Sequence, residues 1–97
     1  MLTPQQSARI LTLIASVLGG TGYEVILFGS QAGGAVTSYS DIDIAIKAEG
    51  PLDLAKWQQL ETLFEESDFC EAFDIVDYHR VETSFQKAID STGIRLR

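Results

Sequence analysis

The sequence predicts a small α/β domain in which a mixed β-sheet is flanked by helices. Two observations lead to this class: apolar residues recur with helical spacing in some segments and strand spacing in others, and the segments follow in the order α-β-β-α-β-α. The chain has 97 residues, 45% hydrophobic and 22% charged, which suffices for one domain with one modest core. The prediction is therefore a single domain over residues 1–97.

The first predicted helix begins at Thr3-Pro4. Thr3 can cap the helix, Pro4 suits the first helical position, and Gln6 completes a capping box. Apolar residues then recur at helical spacing until Gly19-Gly20, where the helix should end: Ala8, Leu11, Ile14, Ala15 and Leu18.

Two strands should follow, Tyr23 to Phe28 and Asp41 to Ile46. In the second, alternation places the three isoleucines on one face and Asp41, Asp43 and Ala45 on the other. The connection between the two strands is too long for a tight hairpin.

The remaining elements are a helix after Gly50-Pro51, a third strand from Ala72 to Tyr78, and a short helix from about Glu82 to Asp90. Gly93 should end this last helix, leaving a basic tail, Ile94 to Arg97. The middle helix carries an apolar stripe: Leu54, Trp57, Leu60, Leu63 and Phe64.

The net charge of the chain indicates which classes of binding partner to expect. Fourteen acidic and 7 basic residues give a net charge of −7. A nucleic-acid binder would carry a basic patch to neutralise phosphates, and none is visible, so no direct contact with nucleic acid is expected. The acidity suits a metal site or a basic partner protein, although most of the carboxylates should form a solvated face.

No apolar run approaches the roughly eighteen residues that a membrane span needs, and the N-terminus lacks a secretory pattern. The single cysteine, Cys70, excludes an internal disulfide and a cysteine-based zinc site. A cytoplasmic protein without membrane contact is expected.

Two carboxylates stand two residues apart at the start of the second predicted strand. Asp41 and Asp43 point the same way because a strand has a period of two, which places them roughly 7 Å apart. They repel each other unless a cation lies between them. Mg²⁺ accepts one or two carboxylates and fills its other positions with water and substrate phosphates. Taken alone, the pair could also be a solvated strand end.

A third carboxylate favours a metal site. Asp74 interrupts the apolar third strand, where an unpaired buried charge would cost several kcal/mol. If the third strand lies beside the second, Asp74 completes a cluster with Asp41 and Asp43, with carboxyl groups within about 4–6 Å of one another. Asp77 falls on the opposite face and is the weaker candidate.

The turn after the first strand supplies a second functional element. Gly29 allows the backbone to approach a ligand closely, and the Ser30 hydroxyl with successive backbone N–H groups can bind an anion. A lone Gly-Ser pair is common at strand ends. Followed by metal-binding carboxylates on the next strand, it has the arrangement that nucleoside triphosphate chemistry requires.

The combination of Gly29-Ser30, ten intervening residues, Asp41-x-Asp43 and the later Asp74 resembles the signature of the polymerase-β-like nucleotidyltransferase superfamily. The resemblance covers nearly the whole chain. It is to the minimal nucleotidyltransferase branch, which includes antitoxins paired with helical HEPN-domain toxins. It implies the polymerase-β-like nucleotidyltransferase fold.

The resemblance also implies a mechanism. Gly29 and Ser30 would hold the triphosphate of ATP or another nucleoside triphosphate. Asp41 and Asp43 would bind two Mg²⁺ ions, and Asp74 would bridge the catalytic metal and help activate an acceptor hydroxyl. The expected reaction transfers AMP from ATP to a hydroxyl of a HEPN-type partner.

Two residues depart from the family pattern. Gln31 and Gly33 stand where members often carry arginines, and each lost charge-assisted hydrogen bond to phosphate is worth about 1.5–3 kcal/mol. Weak binding of free nucleotide is therefore expected. The rival hypothesis is a catalytically weak or inactive subunit that neutralises its partner by contact.

Larger relatives add a helical domain for which this chain has no room, so a second chain is expected, as a homo- or hetero-oligomer. Four other residues leave alternatives open. His79 could be a base or inert, Cys70 should serve packing rather than act as a nucleophile, and Lys47 could reach a phosphate or be solvated. Trp57 could belong to the core or anchor a partner. The basic tail could meet an acidic partner or be disordered.

Overall fold

The computed structural model describes residues 3–29, 42–67 and 73–97. The helices in these ranges are α1 (Pro4–Leu18), α2 (Leu54–Glu65) and α3 (Thr83–Thr92), and the strands are β1 (Tyr23–Phe28), β2 (Ile42–Ala48), β3 (Phe73–Asp77) and β4 (Ile94–Arg95). One 3₁₀ turn, Tyr78–Arg80, follows β3. The predicted order of helices and strands is confirmed, and the 3₁₀ turn and β4 are additions to it.

The four strands form one mixed sheet in the order β3-β2-β1-β4. Strand β1 is antiparallel to both β2 and β4, whereas β2 and β3 are parallel. A parallel pair needs a long crossover, and α2 lies in the segment that connects β2 to β3. The mixed sheet flanked by helices is the predicted fold class.

The sheet separates two apolar clusters. On one face the isoleucines of β2 pack with α1 and α2; the buried residues there are Ile10, Ile14, Val25, Leu27, Ile42, Ile44, Ile46, Leu60 and Phe64. On the other face Ile89 of α3 packs with Ile26, Phe28, Ala45 and Tyr78. The predicted alternation of β2 is confirmed, because its isoleucines and Ala45 belong to opposite faces.

The start of α1 confirms the predicted capping box. The Thr3 hydroxyl accepts a hydrogen bond from the Gln6 backbone N–H at 3.1 Å, and the Gln6 side-chain oxygen accepts one from the Thr3 N–H at 2.9 Å. Two backbone donors that a helix start leaves unpaired are thereby satisfied.

Several predicted boundaries were wrong. Strand β2 extends to Ala48 because this residue pairs with Tyr23. Strand β3 ends at Asp77, whose side chain accepts a hydrogen bond from the His79 N–H and starts the 3₁₀ turn. In the predicted stripe of α2, Leu54 is 64% exposed rather than packed. Trp57 is half-buried against the core.

The basic tail is part of the sheet. The tail was expected to meet an acidic partner or to be disordered, but Ile94–Arg95 pairs with β1. The Arg95 guanidinium lies 3.0 Å from the Glu24 carboxylate, and the Arg97 guanidinium lies 4.5 Å from the centroid of the Tyr23 ring. The cationic side chains thus find partners within the chain. Among the described helices, none has the length and apolar character to cross a bilayer.

Candidate functional site

Three residues form a row across one edge of the sheet. Phe28 at the end of β1 is the register partner of Asp43 near the start of β2, and Asp43 is the register partner of Asp74 in β3. Register partners on neighbouring strands point to the same face, and such strands lie about 4.8 Å apart. The row therefore lies on the face that α3 covers in part, opposite the isoleucines of β2.

The environment of Asp74 differs from the expectation. The sequence predicts a charge inside an apolar strand at Asp74, but the Asp74 side chain is exposed. The carboxylate lies near the start of β3, where water reaches it, so its charge is stabilised by solvent. Asp43, its neighbour in the row, is half-buried.

Asp77 has a structural role. Its side chain is 3% exposed, and it accepts hydrogen bonds from the backbone N–H groups of Leu52 at 2.9 Å and His79 at 3.1 Å. The Nε of Arg80 lies 3.3 Å from the same carboxylate, and Arg80 also donates to the Leu52 carbonyl oxygen at 2.6 Å. Asp77 joins the loop before α2 to the turn after β3, at the opposite end of the strand from the row.

His79 and Lys47 are also engaged away from the row. The Nε2 atom of His79 lies 2.7 Å from the Ala48 carbonyl oxygen, which requires a proton on Nε2. A ring held in this way stabilises the end of β2 and does not serve as a base at the row. The Lys47 ammonium lies 4.5 Å from the centroid of the Tyr78 ring, a cation–π contact rather than a contact with phosphate.

Tyr78 and α3 are joined by a hydrogen bond. The Tyr78 hydroxyl donates to the Asp90 carboxylate at 2.9 Å. This hydrogen bond to a carboxylate, together with burial of the ring, raises the pKa of Tyr78 above its ordinary value of 10.0. The hydrogen bond from the Tyr78 hydroxyl to Asp90 holds α3 against the sheet.

Two features of the structure favour glycine at position 29, at the end of β1. Its φ is +76°, in a region that side chains disfavour. A Cβ at this position would also collide with the carboxylate of Asp43. The glycine thus brings the backbone of the turn directly against one of the predicted metal ligands.

Several predicted site residues lie outside the described residues. Ser30 and Asp41 are among them, as are Gln31, Gly33 and Cys70, and their assignments stay predictions. Within the three described ranges, no group of three or more His, Cys, Asp or Glu side chains could hold a metal ion. Asp43 and Asp74 supply oxygen donors from adjacent strands, which is the ligand type that Mg²⁺ prefers.

Sequence reasoning missed Phe85. Its ring meets that of Phe28 with centroids 5.7 Å apart and planes at 79°, an edge-to-face contact. Phe85 is nevertheless 42% exposed. The available signal was the spacing of Phe85 and Ile89, four residues apart, which places both on one side of α3.

In the described part of the chain, Gly29 lies against the carboxylate of Asp43, and Asp74 lies in register with Asp43 on the next strand of a mixed sheet. The profile of the family described as Polymerase beta, Nucleotidyltransferase matches residues 23–97. The chain therefore belongs to this nucleotidyltransferase family, and the predicted fold and family are confirmed.

Individual relatives are named for protein modification and toxin–antitoxin systems. The chain is 37% identical over 67 residues to the probable protein adenylyltransferase MntA of Haemophilus influenzae, covering 69% of this chain and 59% of that protein. The chain thus spans somewhat over half the length of this curated relative.

The solved structures similar to this chain include two at 27% identity. One is a toxin-antitoxin with AMP-PNP, at 27% identity and a TM-score of 0.74, covering 94% of this chain and 72% of the other. The second is a tri-AMPylated Shewanella oneidensis HEPN toxin in complex with MNT antitoxin. It has 27% identity and a TM-score of 0.65, and the match covers 94% of this chain and 68% of the other.

Proposed function

We propose that this protein is a metal-dependent nucleotidyltransferase that transfers AMP from ATP to a hydroxyl of a HEPN-type toxin and thereby acts as an antitoxin. The observation that carries the proposal is the contact of Gly29 with Asp43, with Asp74 in register on the next strand. Membership of the nucleotidyltransferase family supports the reaction class. The similar structures, one with AMP-PNP and one with an AMPylated toxin, support the nucleotide and the acceptor.

Each site residue has a proposed role. The turn at Gly29 and Ser30 binds the triphosphate through backbone N–H groups and the serine hydroxyl. Asp41 and Asp43 hold the metal ions, and Asp74 faces the acceptor and takes up the proton of its hydroxyl. Bound Mg²⁺ ions would neutralise charge on the triphosphate and on the leaving pyrophosphate.

The bonds that change follow from these roles. The acceptor oxygen forms a bond to the α-phosphorus as the bond from that phosphorus to the pyrophosphate oxygen breaks. Orientation is the main contribution of the protein, because an acceptor held at attack distance reacts as if at very high concentration. The exposure of Asp74 suits this role, since a protein acceptor must reach its carboxylate from outside.

The test combines the chain with a HEPN-domain toxin, ATP and Mg²⁺ and follows adenylyl addition to the toxin by mass spectrometry. The variants Asp43→Asn and Asp74→Asn should each abolish the addition. The first removes the charge of a metal ligand, the second removes the group that takes up the acceptor proton, and both barely change shape. Glu61→Gln and Glu65→Gln are matched controls, since both side chains are exposed on α2 and lie away from the row. Full activity of either aspartate variant would contradict the proposal.

The alternative is a subunit that neutralises the toxin by binding alone. One observation favours it: positions 31 and 33 are Gln and Gly, where family members often carry arginines. Cell protection separates the two hypotheses. The double variant Asp41→Asn with Asp43→Asn should still bind the toxin but should no longer protect cells if transfer is the mechanism. Protection equal to that of the unmodified chain would show that binding alone neutralises the toxin.

A further inference from the structure

Phe85 is a large aromatic side chain exposed beside the row. In the described ranges, three large hydrophobic side chains are exposed: Leu54, Phe85 and Ile94. Leu54 lies on α2, which packs on the opposite face of the sheet, and Ile94 pairs with β1 in the sheet. Phe85 is the one in contact with a member of the row, Phe28.

The position of Phe85 along the row is asymmetric. The order across the sheet edge is Asp74 on β3, Asp43 on β2 and Phe28 on β1. Because Phe85 packs on Phe28, it lies at the β1 end, next to the Gly29 turn. Asp74, the residue proposed to face the acceptor, is at the other end.

The inner side of the Phe85 ring is supported and its outer side is open. Phe28 is 9% exposed and gives the Phe85 ring a rigid edge-to-face partner. Phe85 also borders an open depression of about 540 Å³, together with Arg80, Val81, Glu82 and Ser84. The depression is open to solvent and extends from Phe85 towards Arg80, so the outer face of the ring is accessible to a planar group.

We propose that Phe85 stacks against the base of the nucleoside triphosphate and is a specificity-determining residue for that substrate. The inference rests on the proposed function, because the Gly29 turn must hold the triphosphate. Transfer requires the α-phosphate to lie at the row, next to Asp43, while the β- and γ-phosphates lie at Gly29. Because Asp43 is the register partner of Phe28, the ribose and base attached to that α-phosphate are within reach of the Phe85 ring. The acceptor approaches from the Asp74 end and does not contact Phe85.

The test compares a ligand that carries a nucleotide base with one that consists of the phosphates alone. Calorimetric titration of the chain with Mg²⁺–ATP and with Mg²⁺–tripolyphosphate measures base and phosphate recognition separately. Phe85→Ala should weaken ATP binding roughly 5- to 150-fold, which corresponds to loss of one aromatic–base stack. Tripolyphosphate affinity should stay unchanged.

Further variants separate stacking from a structural effect. Phe85→Leu keeps an apolar side chain against Phe28 but lacks an aromatic ring, so it should weaken ATP binding without a change in melting temperature. Phe85→Tyr should retain ATP affinity. Leu54→Ala is the matched control, because it removes an exposed apolar side chain from α2 and should change neither affinity.

Three results would overturn the inference. Equal weakening of ATP and tripolyphosphate by Phe85→Leu would mean that Phe85 acts through the shape of the site. Unchanged ATP affinity with a raised KM for the toxin would place the ring against the acceptor. Failure of the unmodified chain to bind either ligand, even with the toxin present, would refute the proposed function and this inference with it.

Discussion

At the scale of single residues, the contact between Gly29 and Asp43 is the most specific feature of the candidate site. The turn backbone lies so close to the carboxylate that a methyl group at position 29 would collide with it. This contact couples the predicted phosphate-binding turn to a predicted metal ligand. A change at Gly29 should therefore disturb both.

We expect Gly29→Ala to lower the free energy of unfolding by about 1–2 kcal/mol through its positive φ and to abolish adenylyl transfer by displacing Asp43. Gly22→Ala is a matched control: its φ is +93°, but a Cβ there has no heavy atom within 4 Å. The control should show the loss of stability and retain transfer. Denaturant unfolding and the mass-spectrometric assay measure the two effects, and full activity of Gly29→Ala would refute the coupling.

At the scale of elements, Asp77 explains how the loop before α2 is held to the turn after β3. The buried carboxylate accepts two backbone hydrogen bonds and contacts Arg80, and Arg80 returns to the Leu52 carbonyl. Buried polar groups that are left without partners cost about 1–3 kcal/mol each. Asp77 thus stabilises the ends of the connection between β2 and β3. These two strands pair in parallel, and their register places Asp74 opposite Asp43.

Asp77→Ala should lower the free energy of unfolding by about 2–4 kcal/mol, because it leaves the Leu52 and His79 N–H groups without their acceptor. Asp74→Ala, on the same strand but exposed, should change stability by less than about 0.5 kcal/mol. Urea unfolding of the two variants provides the comparison. Equal effects would mean that the Asp77 contacts contribute little.

At the scale of the whole molecule, the net charge of −7 favours the approach of a basic partner protein. Long-range attraction to a basic toxin raises the association rate, and salt screens this attraction. Short-range contacts that set the dissociation rate are screened much less.

Association with a basic HEPN-type toxin, the proposed partner, should therefore slow as ionic strength rises from about 0.05 M to about 0.5 M, while dissociation changes little. Surface plasmon resonance or stopped-flow fluorescence measures both rates. The dissociation rate is the internal control. A salt effect confined to dissociation would show that the overall charge does not steer this encounter.

The order of helices and strands, and part of the candidate site, can be predicted from local sequence patterns. The capping box at Thr3, the strand alternation around Asp43 and the glycine at position 29 all depend on residues close in the chain. Side-chain period and backbone φ are local properties, so the order of elements and the faces of β2 could be predicted. The spacing of Gly29, Asp43 and Asp74 also identified the family, because that signature is a sequence pattern.

Only the tertiary structure decided which distant residues meet. The register of β3 against β2 places Asp74 opposite Asp43, and the same register leaves Asp74 exposed and buries Asp77. The pairing of the tail with β1 and the packing of Phe85 on Phe28 are likewise contacts between residues far apart in the chain. Such contacts depend on how helices and strands pack together, and no local period encodes them.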